Sequence, residues 1–524
     1  MDVTFDLKTS RTLIETQGKH LADHYWGRYV AFLRDDSKRR HYVFRDPTGA
    51  LPCIFTEILD VSVFMSNLED HISLHTDELH INWNHIAAQF WNMRAVTKET
   101  GFERISQVYA GECMVVETDA TSGSFHWEPT RVYESGVIEE PEHAKKALKQ
   151  AVSNCVQAWA SCYGGIVLEL SGGLDSALVA CCLGLVSNSA QVVCMNFRPE
   201  SPEGDERYFA GLAAQKAGFE LIEMQLRSTD RSLESLLDTR KHATPSMTTM
   251  YSETDKLLQR LVQERRTEAV FTGQGGDHLF QQMRNPRSAA EYVWQHGLHP
   301  ELATIVTDTS RLTGKSIWNV LGQALIYGVF KRRFDPYTIY ERSPLLSDDA
   351  VAALSPKAIV HPWVENADGV PAAKVQHIEL IVDTQPFYLK QSKYLDIVHP
   401  LISQPIIECC LKIPTYVLTR GGVSRALARE AFRDELPPEI TARISKGSTT
   451  NYFNRLLIEN AKFLREYLLD GMLVSERILD RQKVEEQLSE QALIRGARRI
   501  DIYTAVRVET WLRSWAGVWH RAAA

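Results

Sequence analysis

The chain has 524 residues, 44% of them hydrophobic and 24% charged, with a formal net charge of −8. That length suggests two or more domains, on the usual scale of roughly 100–150 residues each. The acidic balance gives no electrostatic footprint for nucleic acid, and no stretch approaches the roughly 20 apolar residues of a membrane span. The first residues, Met1 to Asp6, lack the apolar core of a signal peptide, so a cytoplasmic location is expected. Nine cysteines, with adjacent pairs at Cys181-Cys182 and Cys409-Cys410, show no metal-ligand spacing and read as reduced core residues.

From residue 27 to about 117 the chain reads as short strands and turns. Residues 27–33 and 41–44 form a strand pair across the polar turn 34–40. Arg45-Asp46-Pro47-Thr48-Gly49 is a turn, a strand begins in 51–55, and residues 61–66 alternate like another. Residues 125–140 read as a linker, and 143–162 as a helix.

The apolar, β-prone run 165–170 then enters Ser171-Gly172-Gly173-Leu174-Asp175-Ser176. Residues 177–186 leave it as a helix that is apolar nearly all round. A strand, a tight turn and a helix N-terminus make an anion site, where backbone N–H groups and the helix dipole favour negative charge. Gly172 and Gly173 allow close backbone approach, Ser171 and Ser176 add hydroxyls, and Asp175 can hold Mg2+. No Gly-Lys-Ser/Thr ends the loop, so it is not a Walker A loop. The bland alternative is a Gly-Gly turn in an α/β core.

Strands are expected at 191–197, 219–226 and 268–271, with helices at 205–217 and 253–266. This alternation predicts a parallel sheet covered on both faces, with ligands at the carboxyl ends of its strands. Thr272-Gly273-Gln274-Gly275-Gly276-Asp277 follows the last of these strands. Two carboxylates, Asp175 and Asp277, at exposed strand ends outside the core are what Mg2+ on a triphosphate needs; a helix N-cap is the plain alternative for Asp277. From 289 to about 513 the chain reads as mostly helical, with Trp511, Trp515 and Trp519 as a core stripe. A third polar loop, Arg443 to Thr450, contains Lys446; alone, it would pass for flexible surface.

The first glycine loop resembles the pyrophosphatase loop of enzymes that split ATP into AMP and pyrophosphate. Gly-x-Tyr-Val-Ala-Phe at 27–32, Arg-Asp-x-x-Gly at 45–49, Phe64 to Leu68, Phe102 to Ile105 and Ala110-Gly111-Glu112 resemble, in order, the glutamine amidotransferase domain of asparagine synthetases. Residues 399–414, 422–432 and the Leu-Pro-x-x-Ile run before Lys446 are similar to later stretches of the same family. The resemblance implies a two-domain fold, α/β and α+β. Residues 1–128 would be a degenerate, β-rich glutaminase-like (Ntn-type) domain. Residues 140–524 would be an ATP-pyrophosphatase-type synthetase domain with a parallel sheet and a helical C-terminal part.

The resemblance also implies ATP and Mg2+ as cofactors. Ser171, Gly172, Gly173, Asp175, Ser176, Met195, Thr272 and Gly273 would line the nucleotide, and Asp175 and Asp277 would share the metal. Lys446 would neutralise charge developing on the acyl-adenylate and pyrophosphate, completing a catalytic set with those two aspartates. Two departures stand out. The family's N-terminal cysteine, whose own amine serves as base, is missing: residues 1 and 2 are Met and Asp, the first cysteine is Cys53, and the front of the domain is short. Glutamine hydrolysis is therefore expected to be absent. Gln274 stands where relatives carry a glutamate or tyrosine, and an amide cannot be a base; His278 or water is left, and no base is assigned.

Among the family's branches the chain looks most like a lasso peptide cyclase, on residues 26–32, residues 273–280 and the Arg-Gly-Gly to Ala-Arg stretch. That resemblance implies adenylation of an Asp or Glu side chain of a precursor (core) peptide, followed by attack of the peptide's N-terminal amine. Its partners would be that peptide, a leader peptidase and a leader-binding protein, with no nucleic acid and no membrane. The alternatives are a β-lactam synthetase-like or asparagine synthetase-like ligase on a small acid, a PP-loop RNA-modifying enzyme, and a non-catalytic scaffold. The acidic balance and the absence of a Cys-x-x-Cys pair argue against the RNA enzyme.

Overall fold

The structure is a computed structural model. It describes residues 4–69, 79–118, 120–185, 190–199, 204–226, 241–245, 252–282, 285–331, 334–355, 359–390, 395–443, 457–495 and 498–519.

The N-terminal part opens with two helices, Leu7–Glu15 and Lys19–His24. It continues with strands β1 (Val30–Asp35), β2 (Arg40–Arg45), β3 (Ile54–Ile58), β4 (Val61–Met65), β5 (Ser106–Gln107), β6 (Glu112–Val116) and β7 (Thr121–Phe125). They form two antiparallel sheets, of order β1-β2-β6-β7 and β4-β3-β5. The β1–β2 hairpin matches the expected pair. Its turn is fixed by Asp35, whose carboxylate accepts from the Ser37 and Lys38 N–H groups at 3.1 and 3.2 Å. This part is less purely β than expected, since the helix Trp83–Ala88 interrupts it. Nor is 125–140 a plain linker: Phe125 ends β7, Trp127 is buried, and Pro129 opens the helix Pro129–Glu134.

The second part holds β8 (Gly165–Glu169), β9 (Gln191–Pro199), β10 (Glu220–Leu226), β11 (Ala269–Phe271) and β12 (Asp396–Val398), in a wholly parallel sheet of order β10-β9-β8-β11-β12. Strand alternation sorts its side chains onto two faces. Val167, Met195, Val270 and Ile397 pack with Leu258 and Leu261 of the helix Ser252–Arg265. Ile166, Leu168, Cys194 and Phe271 face the main core, with the helices Pro141–Ala160 and Leu174–Gly184. Both faces are thus covered, which is why the strands are almost wholly apolar.

The region after residue 289 is mostly helical, as expected, but it returns one strand to the sheet. β12 pairs with β11 from far along the chain. Trp511 and Trp515 are buried against Phe102 of the N-terminal part, at ring distances of 5.1 and 4.8 Å. Among the described residues no helix is long and apolar enough to cross a membrane.

Candidate active site: two strand-end loops meeting at an arginine

The two glycine loops leave adjacent strands, β8 and β11, at their carboxyl ends. In the first loop Gly172 has φ +73°, and a Cβ there would lie 2.7 Å from the Glu206 carbonyl oxygen, so only glycine fits. Gly173 caps the helix Leu174–Gly184, whose free N–H groups face the turn. The Ser171 N–H donates to Ser176 Oγ at 3.2 Å, and the two hydroxyls lie 3.1 Å apart. Asn196, from β9, braces the loop by donating to the Leu170 carbonyl at 2.7 Å.

The second loop is tied to β12 and the residue after it. The Thr272 N–H donates to the Val398 carbonyl, and the Thr272 hydroxyl lies 2.7 Å from His399 Nδ1. The two loops then interlock. A Cβ on Gly273 would fall 2.4 Å from the Ser176 nitrogen, and one on Gly276 would fall 2.4 Å from Asp175 Cγ. Gly275, at φ +95°, caps the short helix Gly276–Leu279, so Asp277 lies inside that helix's first turn and is not its cap.

Asp175 and Asp277 converge on one group. Arg425 Nη1 donates to Asp175 Oδ2 at 2.8 Å and to Asp277 Oδ1 at 2.5 Å. The guanidinium and the Asp175 carboxylate are buried, while Asp277 is about one-third open to solvent. The expectation of two exposed carboxylates is therefore corrected for Asp175. It lies in the first turn of a helix that is buried all round, so it shares that helix's burial. A cation seated between the two carboxylates is what a metal-binding pair would hold. The residues thus fit Mg2+, with the Arg425 guanidinium as the stand-in charge.

The other expected residues fall as follows. Ser171, Gly172, Gly173, Ser176, Thr272 and Gly273 line the two loops. The Met195 side chain lies in the core on the far face of the sheet, while its carbonyl accepts from the Leu170 N–H at 2.8 Å beside the first loop. Lys446 lies outside the described residues. Arg443, three positions before it, makes a two-pronged ion pair with Glu206 at 2.5 and 2.6 Å and stacks on the Phe209 ring at 3.8 Å. Gln274 lies on the second loop, its N–H bonded to the Thr272 hydroxyl at 3.2 Å.

His278 is a poor base. Burial, and then the Arg94 guanidinium, push its imidazole down to about 4, so it stays neutral with little affinity for a proton. Sequence reading assigned no role to Arg425. Its signal was an arginine four residues before Arg429, bracketing the apolar Ala426-Leu427-Ala428, where a buried charge needs a partner. Arg429 fastens this segment by donating to the carbonyls of Ser424, Ile440 and Thr441.

A parallel sheet with interlocked glycine loops and a carboxylate pair at adjacent strand ends defines an α/β anion-binding class of protein. Within that class the chain belongs to the asparagine synthase family, whose model matches residues 143–513. That family uses ATP, generally with Mg2+, and its activity is ATP-dependent amide ligation. No curated protein matches the chain.

Proposed function

We propose that this chain is a lasso peptide cyclase: it activates a side-chain carboxylate of a core peptide as an acyl-adenylate and closes it onto the peptide's N-terminal amine. One observation carries the chemistry: two aspartates from adjacent strand ends converge on a single cation beside a helix N-terminus. When bound, Mg2+ would supply charge neutralisation on the triphosphate. Asp175 and Asp277 would hold it, and the loop N–H groups with Ser171 and Ser176 would orient the phosphates. Lys446 would steady the charge developing in the transition state.

Residues 1–128 act in this reading as a docking unit without glutaminase activity, and 140–524 as the synthetase domain. In that first unit Cys53 and Cys113 are buried, with thiols pushed up to about 11 and about 12, so neither offers a thiolate. Closing a threaded ring requires the peptide to be held in one shape, at a cost of about 1 kcal/mol or more per fixed residue that binding must offset. The test uses a leader-free lasso-type core peptide carrying an Asp or Glu at a ring-closing position, with ATP and Mg2+. AMP, pyrophosphate and a peptide lighter by one water are expected. An amide made only from free ammonia would return the chain to the asparagine-forming branch, and a ring closed on a small amino acid to the β-lactam branch.

A further inference from the structure

A narrow cleft lies where the N-terminal part meets the helical region. Its lining carries three arginines (Arg45, Arg94, Arg507) and three glutamines (Gln89, Gln107, Gln385), and no acidic side chain. Arg45 and Arg507 are buried, yet among the described residues neither forms an ion pair. Arg45 spends its fork on the carbonyls of Leu51, Val108 and Gly49 at 2.6–2.8 Å. Arg507 donates to the carbonyls of Met93 and Pro245 and to Gln89 Oε1 at 3.1–3.3 Å, while its Nε has no partner among the described residues. Asp46 and Glu112 act on Arg45 through space but bond to other groups, Glu112 to Lys98 at 2.7 Å and Asp46 to the Thr48 N–H at 2.9 Å.

Gln385 completes the pattern. It is 6% exposed, and among the described residues neither its amide nitrogen nor its amide oxygen has a partner. A buried amide with neither end satisfied is costly, as is a guanidinium such as that of Arg507 with no ion-pair partner among the described residues. Burial, and then the neighbouring Arg94, lower Arg507 to about 10, in keeping with that cost. An anion with two acceptor oxygens would accept from the Gln385 amide nitrogen and from Arg507 Nε, and its charge would answer the buried guanidinium groups.

We propose that this cleft is a binding site for a carboxylate group, from the end of a peptide or from a free small acid. The site is distinct from the aspartate pair and does not depend on the adenylation reading. Arg94 lies between the two, pairing with Asp383 at 3.0 Å and lying 3.4 Å from His278 in the short helix after the second glycine loop.

The test needs neither ATP nor turnover. Calorimetry and thermal unfolding of the full chain would compare succinate with its neutral diamide, and trialanine with its C-terminal amide. Both acids, or one of them, should bind and raise the unfolding midpoint, and the amides should not. Trialanine outcompeting succinate assigns the site to a peptide end; the reverse assigns it to a small acid. Gln385→Leu should weaken binding at least tenfold and leave the empty protein as stable as the parent or more so, because it removes an unsatisfied amide. Arg507→Lys, which keeps the charge and loses the fork, should weaken binding as well. Amides binding as well as acids, no acid binding at millimolar concentration, or a destabilised Gln385→Leu that binds normally would each overturn the proposal.

Discussion

Arg425 sits in the left-handed region of backbone space, at φ 55°, where a side chain with a Cβ is strained by about 1–3 kcal/mol. Its position is held by the ion pairs it makes, and the burial of the two partners differs. Removing one member of a buried charge pair costs about 3–5 kcal/mol, and an exposed pair is worth about 1 kcal/mol or less. Asp175→Asn should therefore lower the unfolding free energy by about 2–4 kcal/mol in urea titrations. Asp277→Asn, on the more open carboxylate, should cost about 1 kcal/mol. Both should abolish ATP–pyrophosphate exchange. Equal stabilities for the two variants would contradict the burial difference on which this ordering rests. The identity of the aspartates was legible in the sequence because they follow glycine turns at strand ends. The burial of Asp175 was legible too, in the apolar helix it starts, but only if the helix's burial is extended to its first turn. Arg425 was hidden because its partners lie 148 and 250 positions away.

Among the elements, close backbone approach is what lets the two loops share a site. A Cβ on Gly273 would meet the backbone of Ser176, which cannot move without displacing the helix behind it. Gly273→Ala should cost about 1–3 kcal/mol and weaken nucleotide binding in a filter or fluorescence assay. Gly211 is the contrasting case. It lies inside the helix Arg207–Ala217 at negative φ, with nothing within 4 Å of an added Cβ. Gly211→Ala should stabilise the chain by about 0.5–1 kcal/mol, read as a higher unfolding midpoint. If both substitutions have the same sign, the packing contrast fails. β8, β9 and β10 could be read from the sequence because each is a long apolar run between turn signals. β12 has three residues, too few to show a period, and only its pairing with β11 makes it a strand. Likewise the helix Pro129–Glu134 is a single turn and a half, announced only by its leading proline.

At the scale of the whole molecule, buried imidazoles couple stability to pH. His361 is 2% exposed and accepts the Trp363 N–H on its Nδ1 at 3.1 Å, so a proton there would break a helix cap. Burial, and then Arg45, push its imidazole down to about 3. In the unfolded chain the same group titrates near 6.5. Below pH 6.5 the unfolded chain thus takes up a proton that the folded chain refuses, and the stabilising contribution of the neutral ring is lost as pH falls. The stability advantage of the parent over His361→Gln should be largest above pH 6.5. It should shrink by about 1.4 kcal/mol per pH unit toward pH 4, measured by urea unfolding across that range. An advantage constant from pH 7 to pH 4 would show that the ring does not change its protonation on unfolding. The two-part architecture was readable from the passage, near residue 140, from short strands and turns to a helix and then alternating strands and helices. The seam between the parts was not, because its contacts, such as Trp511 on Phe102, join opposite ends of the chain.

The late return of β12 bears on the order in which the molecule comes into being. As the chain leaves the ribosome, β8 and its glycine turn appear early, but the second loop has no Val398 carbonyl or His399 ring to bind until residues 398 and 399 have emerged. The guanidinium between the aspartates arrives later still, at residue 425. A nascent chain halted before that point carries two facing carboxylates with no built-in counter-charge, so the site cannot take its final form until residue 425 has emerged. Closing contacts across such separations also slows folding. The contacts that make the site are then late ones, completed by residues far along the chain from the loop they join.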